Sequence, residues 1–408
     1  MALITTTPGI QSRARLAGYD PEILKNACIL VVGAGALGQN VAMNLALSGV
    51  GELRIVDGDV FEDHNRSRSP LHPRRGSYLP AERLPKASCV GRELRQIHID
   101  EAPNIRVADT WIEELGLGAF DDVDVIAACV DSLVARAYLA RTAMLCNLPI
   151  VDGGFSGANL GMGVYPRSGE PRDAPCWSCT GPSLPGAFSC EHYARYAQAA
   201  GVVPAIQAGA AALGGMCTEA AMNLLHEREP VARRVAFDLR SGTSRAFHPQ
   251  PDPVCASAHR RLPRALEVEL SSSATAAELL SRLDEPGARL FLPDVYVERA
   301  NCPTPDCLAT CEVGAPAHRW QRDARCVECG GPWERSGRQI ASPDMIDAGL
   351  TLEDGQSGLT LRRLGIRPGD VVEVVGVREH AAIRIAGGPA DLYLPAEELA
   401  SRDGSVTS

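Results

Sequence analysis

A chain of 408 residues exceeds one ordinary domain, and its 45% hydrophobic and 22% charged content describes a globular protein of two or three units. A net charge of −10 argues against nucleic acid as the main partner, and no run of about 18 apolar residues is present to span a membrane. Met1–Arg15 lacks the apolar core of a signal peptide, so the fourteen cysteines read as reduced thiols and metal ligands of a cytoplasmic protein.

In chain order, the apolar run 28–32 predicts a strand that feeds Gly33-Ala34-Gly35-Ala36-Leu37-Gly38, a Gly-x-Gly-x-x-Gly turn, and then a helix over 37–48. A second strand over 52–56 ends on Asp57. Glycines let backbone approach a phosphate, a helix N-terminus carries partial positive charge, and a carboxylate after the second strand can hold a ribose. Strands over 104–108 and 123–129 alternate with helices over 85–98 and 132–145. That alternation predicts an α/β, doubly wound, mainly parallel sheet of Rossmann-like type. A strand over 148–152 leads into Gly153-Gly154-Phe155-Ser156-Gly157, and 166–192 reads as a long functional loop. The small residues of a helix over 204–225 suit close packing, in the core or at a subunit contact.

Past Asp252 the character changes. Residues 265–295 suggest strand, helix, strand; 300–333 hold five cysteines and two tryptophans; 370–377 and 380–385 alternate as strands of a small β module. The expected units are 1–262, a β-α-β connecting segment 263–299, a cysteine-rich ribbon 300–335 and a C-terminal module 336–408.

Of 40 basic residues only Lys25 and Lys86 are lysines, an arginine bias that a GC-rich genome accounts for. Keeping lysine at position 86 suggests a compact ammonium that reaches a phosphate. Asp131 directly follows an apolar strand, at the strand end where open α/β sheets bind ligands.

The ordered set of the glycine turn, Asp57-Gly58-Asp59, Asn65 with Arg68, Lys86, and Val130-Asp131 resembles the ubiquitin-activating-enzyme superfamily. Its simplest members are the adenylyltransferases of molybdopterin and thiamine biosynthesis. The resemblance covers roughly residues 10–260. It implies an enzyme, here of bacterial type, that uses ATP and magnesium (Mg2+) to adenylate the C-terminal glycine of a ubiquitin-like β-grasp protein, and that dimerises. By that resemblance Gly33, Gly35, Ala36 and Gly38 carry the nucleotide, Asp57 takes the ribose, and Asp59 belongs to the same site. Asn65, Arg68 and Lys86 surround the triphosphate, Asp131 binds magnesium beside Ser132, and Arg13 reaches the ATP of the other subunit. Ser69 and Ser132 stand where the family has glutamine and asparagine, and the interval from Arg68 to Lys86 is longer than in the simplest members.

The cysteines extend the resemblance. Cys176-Trp177-Ser178-Cys179 lies at the first half of the family's structural zinc site, and Cys255 with His259 lies near the second, giving a Cys₃His set for Zn2+. Cys302, Cys307, Cys326 and Cys329 have zinc-ribbon spacing, with Cys311 as the alternative ligand. Cys190, alone in the long loop, stands where thioester-forming relatives carry a nucleophile. Cys28, Cys89, Cys129, Cys146 and Cys217 fall on apolar elements and read as core. The expected activity is therefore adenylation followed by thioester formation on Cys190 and transfer to a cysteine-bearing conjugating enzyme. The alternatives are an adenylation-only sulfur-carrier enzyme and an inactive adaptor; intact Asp57, Asn65, Arg68, Lys86 and Asp131 argue against the adaptor.

Overall fold

The computed structural model describes residues 9–73, 84–100, 103–167, 173–180, 205–230, 232–255, 259–283, 288–290, 296–301, 309–316, 358–375, 380–388 and 391–396. It also describes the single positions Gly169, Leu292, Thr304, Cys307 and Cys326, and residues 328–330. Strand β1 (Cys28–Val32) is apolar and buried along its whole length, as a strand covered on both faces must be. Its side chains divide between two cores: Ile29 and Val31 pack on one side of the sheet, Cys28, Leu30 and Val32 on the other.

Beside β1 lie β2 (Glu52–Val56), β3 (Asn104–Ala108), β4 (Val125–Ala128) and β5 (Ile150–Ser156), all parallel. The sheet continues antiparallel through β6 (Asn159–Tyr165), β7 (Arg234–Asp238) and β8 (Thr243–Phe247). Two short helices, α1 (Ser12–Leu16) and α2 (Pro21–Asn26), precede it. Helices α3 (Ala36–Ser48), α4 (Lys86–Ile97), α5 (Leu133–Cys146) and α6 (Gln207–Leu225) cover its faces. Helix α6 packs into the core against α3: a Cβ at Gly214 would lie 2.6 Å from the Asn40 Cβ, so the small residues serve close helix packing.

The parallel half matches the sequence expectation within one or two residues except at β5, which was expected to end at 152 in a glycine-rich turn but runs on to Ser156, its glycines paired with β6. The antiparallel extension over β6, β7 and β8 was not foreseen. Strand β6 alternates Leu160, Met162 and Val164 only with Gly161 and Gly163 rather than with polar residues, and β8 is exposed along nearly its whole length, so neither carries a strong strand signal.

Beyond residue 262, β9 (Ala265–Val268), α7 (Ala276–Leu280) and β10 (Arg289–Leu290) are followed by the hairpin β11 (Tyr296–Asn301) and β12 (Thr310–Pro316). Then come β13 (Val371–Val375), β14 (His380–Ile385) and β15 (Leu394–Pro395). The sequence reading set 263–299 apart from 336–408; the structure joins them, in a four-stranded sheet of order β10-β13-β14-β9 around its own core. Strand β15 leaves that sheet and pairs antiparallel with β3, so the large sheet has nine strands in the order β15-β3-β2-β1-β4-β5-β6-β7-β8. Pairing between strands about a hundred residues apart leaves no local signature, which is why the two segments looked independent.

Candidate active site

At the carboxyl ends of the parallel strands lies a cleft of about 1040 Å³. It forms where β1 and β4 turn away to opposite sides, the point at which open α/β sheets bind ligands. Gly33 opens the turn at φ +95°, and a Cβ there would lie 2.6 Å from the Cys129 carbonyl oxygen. At Gly38 a Cβ would strike the Gly33 carbonyl at 1.7 Å, so this glycine packs helix α3 against the turn and does not line the cleft. Gly35 has nothing within 4 Å of its missing Cβ, and the backbone there is open to an approaching ligand. Ala36 begins α3 beside it.

Asp57 faces this turn. Its Oδ2 accepts from the Ala34 N–H at 2.6 Å and its Oδ1 from the Asp59 N–H at 2.7 Å. Burial pushes the carboxyl up to about 6, against the opposing pull of the Lys86 ammonium. Lys86 opens helix α4, fixed by its own N–H donating to the Asp59 carbonyl at 2.9 Å, and its Nζ lies 3.1 Å from the Asp59 carboxylate. Asn65 is buried within a 3₁₀ turn, its Oδ1 accepting from the Glu62 N–H at 2.9 Å. Arg68, on the same turn, lines the cleft and donates to the His64 carbonyl at 3.0 Å.

On the other wall, Asp131 is exposed to the cleft at the end of the β4 connection. Ser132 N-caps helix α5, its Oγ accepting from the Ala135 N–H at 3.3 Å. Of the residues expected at the nucleotide, Gly33, Gly35, Ala36, Asp57, Asp59, Asn65, Arg68, Lys86, Asp131 and Ser132 all line this one cleft. Arg13 sits on α1, exposed and outside it. Cys190 and Cys302 lie outside the described residues, as does the side chain of Cys311.

The sequence reading missed Arg136 and Asp152. Arg136 forms an ion pair with Asp152, donates to the Val130 carbonyl, and donates to the Gly153 carbonyl at 2.9 Å. It thereby ties together the segment that presents Asp131 and the floor of the cleft. Asp152 is buried, and burial raises its carboxyl despite the arginines beside it. A signal existed: Arg136 lies four residues after the cap Ser132, one helical turn on, and so falls on the cleft side. Trp111, Glu113, Trp177 and Arg234 also line the cleft and were likewise unmarked.

The expected zinc ligands Cys176, Cys179, Cys255 and His259 converge, with all four ligand atoms within 4.8 Å of one another. The sulfurs of Cys176 and Cys255 are 3.5 Å apart, those of Cys176 and Cys179 3.8 Å, and Cys179 Sγ lies 3.0 Å from His259 Nε2. Tetrahedral Zn–S bonds of about 2.3 Å place sulfurs about 3.8 Å apart, so the set fits a closed structural zinc. Between the first two ligands, Trp177 hydrogen-bonds to Asp152 and joins this knuckle to the cleft floor. Cys307, Cys326 and Cys329 form a second group within 4.8 Å, three of the four ligands expected of a ribbon. Cys28, Cys89 and Cys217 are buried and Cys146 partly so, while Cys129 also borders the cleft.

A family model described as the ThiF family matches residues 12–257, more than half of the chain. The chain belongs to the ThiF family. That places it in the ubiquitin-activating-enzyme superfamily, in agreement with the motif order. Among similar curated proteins, "Adenylyltransferase and sulfurtransferase MOCS3-1" of Zea mays is 30% identical over 186 residues, 45% of this chain and 37% of that protein. "Adenylyltransferase and sulfurtransferase uba4" of Neosartorya fischeri is 33% identical over 174 residues, 41% of this chain and 32% of that one. The chain thus spans about a third of the length of these relatives. A crystal structure of E. coli MccB with MccA-N7isoASN shares the fold at TM-score 0.52 and 18% identity, covering 63% of this chain and 76% of that one. The match shows a shared fold. Among the described residues no helix is long and apolar enough to cross a membrane.

Proposed function

We propose that this ThiF-family chain is an adenylyltransferase that activates the C-terminal glycine of a ubiquitin-like β-grasp protein with ATP. The observation that supports it is the convergence of the open Gly35 backbone, Asp57, Arg68, Lys86 and Asp131 on one cleft. A carboxylate oxygen of the terminal glycine attacks the α-phosphorus, the bond to the bridging oxygen of the β-phosphate breaks, and pyrophosphate leaves with the electron pair. The product is an acyl-adenylate. Arg68 and Lys86 answer the charge that gathers on the phosphoryl oxygens and the leaving group. Asp57 accepts from the ribose hydroxyls, and the first turn of α3 faces the phosphates. Asp131, with the phosphates, would hold Mg2+, an ion that keeps most of its waters and neutralises phosphate charge when bound. Zn2+ at the Cys₃His set and the ribbon is structural. The active form is a homodimer in which Arg13 serves the ATP of the other subunit, a role in keeping with its exposure on α1.

Two continuations fit about equally. In one, the Cys190 thiolate attacks the acyl carbon, AMP leaves, and the thioester passes to a cysteine-bearing conjugating enzyme. In the other, the acyl-adenylate is handed to sulfur-carrier chemistry and Cys190 is unused; the names of the curated relatives favour it. Wild type with Mg·ATP and the β-grasp partner separates them. The first continuation gives a covalent band that thiol reductant removes. Cys190→Ala then loses the band and keeps pyrophosphate exchange, while Cys190→Ser leaves a reductant-resistant ester. A reducible band from Cys190→Ala moves the nucleophile elsewhere, with Cys311 next. No band from a wild type that exchanges pyrophosphate selects the second continuation.

A further inference from the structure

The segment that leaves β3 at Asp109 and runs through Asp121 toward β4 has two ends with different surroundings. Its first residues, Thr110, Trp111, Ile112 and Glu113, line the cleft on the side of Asp57. The Trp111 indole lies flat against the backbone between the two aspartates: a Cβ at Gly58 would stand 2.3 Å from that ring. The wall beside Asp57 is where the base of a nucleotide whose ribose meets Asp57 must lie.

The rest of the segment is held by the C-terminal module. Arg367 reaches Glu114 at 3.3 Å, and Glu114 in turn accepts from the Thr110 hydroxyl at 2.8 Å. Asp370 accepts from the Gly118 N–H at 3.1 Å and from the Val371 N–H at 2.7 Å. The backbones are in direct contact there, since a Cβ at Gly118 would lie 2.0 Å from the Gly369 carbonyl. Arg384 pairs with Asp121 at 3.1 Å, and the Tyr393 hydroxyl donates to the Ala119 carbonyl at 2.9 Å. Leu117 and Leu145 share an apolar cluster with Val371 and Ala382.

We infer that the C-terminal module is a positioning element of the nucleotide site: through Arg367 and Asp370 it holds the wall formed by Thr110, Trp111 and Glu113. The inference rests on the cleft taking ATP. Ile112, Leu115, Ala119 and Phe120 seat this connection in the core of the large sheet, but Gly116 and Gly118 leave the backbone between those anchors little conformational preference of its own, so further contacts fix it. Residues about 250 positions away in sequence supply them.

The test uses the full-length protein and two readouts: Mg·ATP affinity by calorimetry, and amide hydrogen exchange of 109–121 without nucleotide. Arg367→Ala should raise the ATP Kd about threefold, and Asp370→Ala about tenfold, the scale of one lost half-exposed ion pair and of lost buried caps. Both should speed exchange across 109–121. Arg367→Lys, which keeps the charge opposite Glu114, should restore most of the affinity, a rescue that general destabilisation would not give. Wild-type affinity in folded Arg367→Ala and Asp370→Ala overturns the inference, whether or not exchange has changed. A wild type that binds no ATP defeats the nucleotide reading itself.

Discussion

Two residues carry the sharpest expectations. Asp57 is raised from 3.8 to about 6 by burial, so the folded protein disfavours its charged form. Its contribution to stability is therefore full below about pH 4 and declines as pH rises through 6. Ribose binding runs the other way, because only the ionised carboxylate is a pure acceptor. ATP affinity should rise about tenfold between pH 5 and pH 7, and Asp57→Asn should remove the part of that slope that does not belong to the nucleotide's own titration. An unchanged slope in Asp57→Asn would remove Asp57 from the ribose site. Lys86→Ala should lower pyrophosphate exchange by about 10²–10³-fold, the usual loss when one charge-stabilising donor is deleted. Lys86→Arg should recover little, because the wider guanidinium must fit beside Asp59 in a position tuned to an ammonium 3.1 Å away. At this scale the sequence was informative wherever a residue has a fixed spacing from the glycine turn, as Asp57 does. It was silent on Asp152, whose partners Arg136 and Trp177 come from other elements.

At the scale of elements, two separated groups of thiol ligands predict two zinc ions per chain by metal analysis. Less than one zinc on folded, untreated protein would contradict both. The groups should also differ in consequence. Trp177 ties the Cys176 knuckle to Asp152 on the cleft floor, whereas the described ribbon ligands Cys307, Cys326 and Cys329 border no part of the cleft. Cys255→Ala should lose one zinc and weaken ATP binding; Cys326→Ala should lose the other and leave ATP binding as it was. Equal effects from the two variants would show that the knuckle does not support the floor. Strands buried on both faces, such as β1 with its five buried residues, were legible because burial on two sides demands an unbroken apolar run. Strand β8 was not, because a largely exposed edge strand needs no apolar pattern at all.

Across the whole molecule, the segments that looked like appendages are parts of the enzyme's frame. Strand β15 closes the free edge of the nine-stranded sheet beside β3, and Glu373 of β13 pairs with Arg141 of α5 and with Arg260. Glu373 is buried, and losing either arginine would leave its charge short of partners, an expensive defect. None of this could be read from local pattern, because the partners lie more than a hundred residues apart. Motif order nevertheless picked out the residues that share the cleft and for which adenylation chemistry is proposed. The most direct test of that chemistry is ATP–pyrophosphate exchange driven by a β-grasp protein ending in glycine. The account predicts exchange by wild type and none by a folded Asp131→Ala variant. Undiminished exchange in that variant, or no partner-dependent exchange by wild type at saturating Mg·ATP, would contradict it.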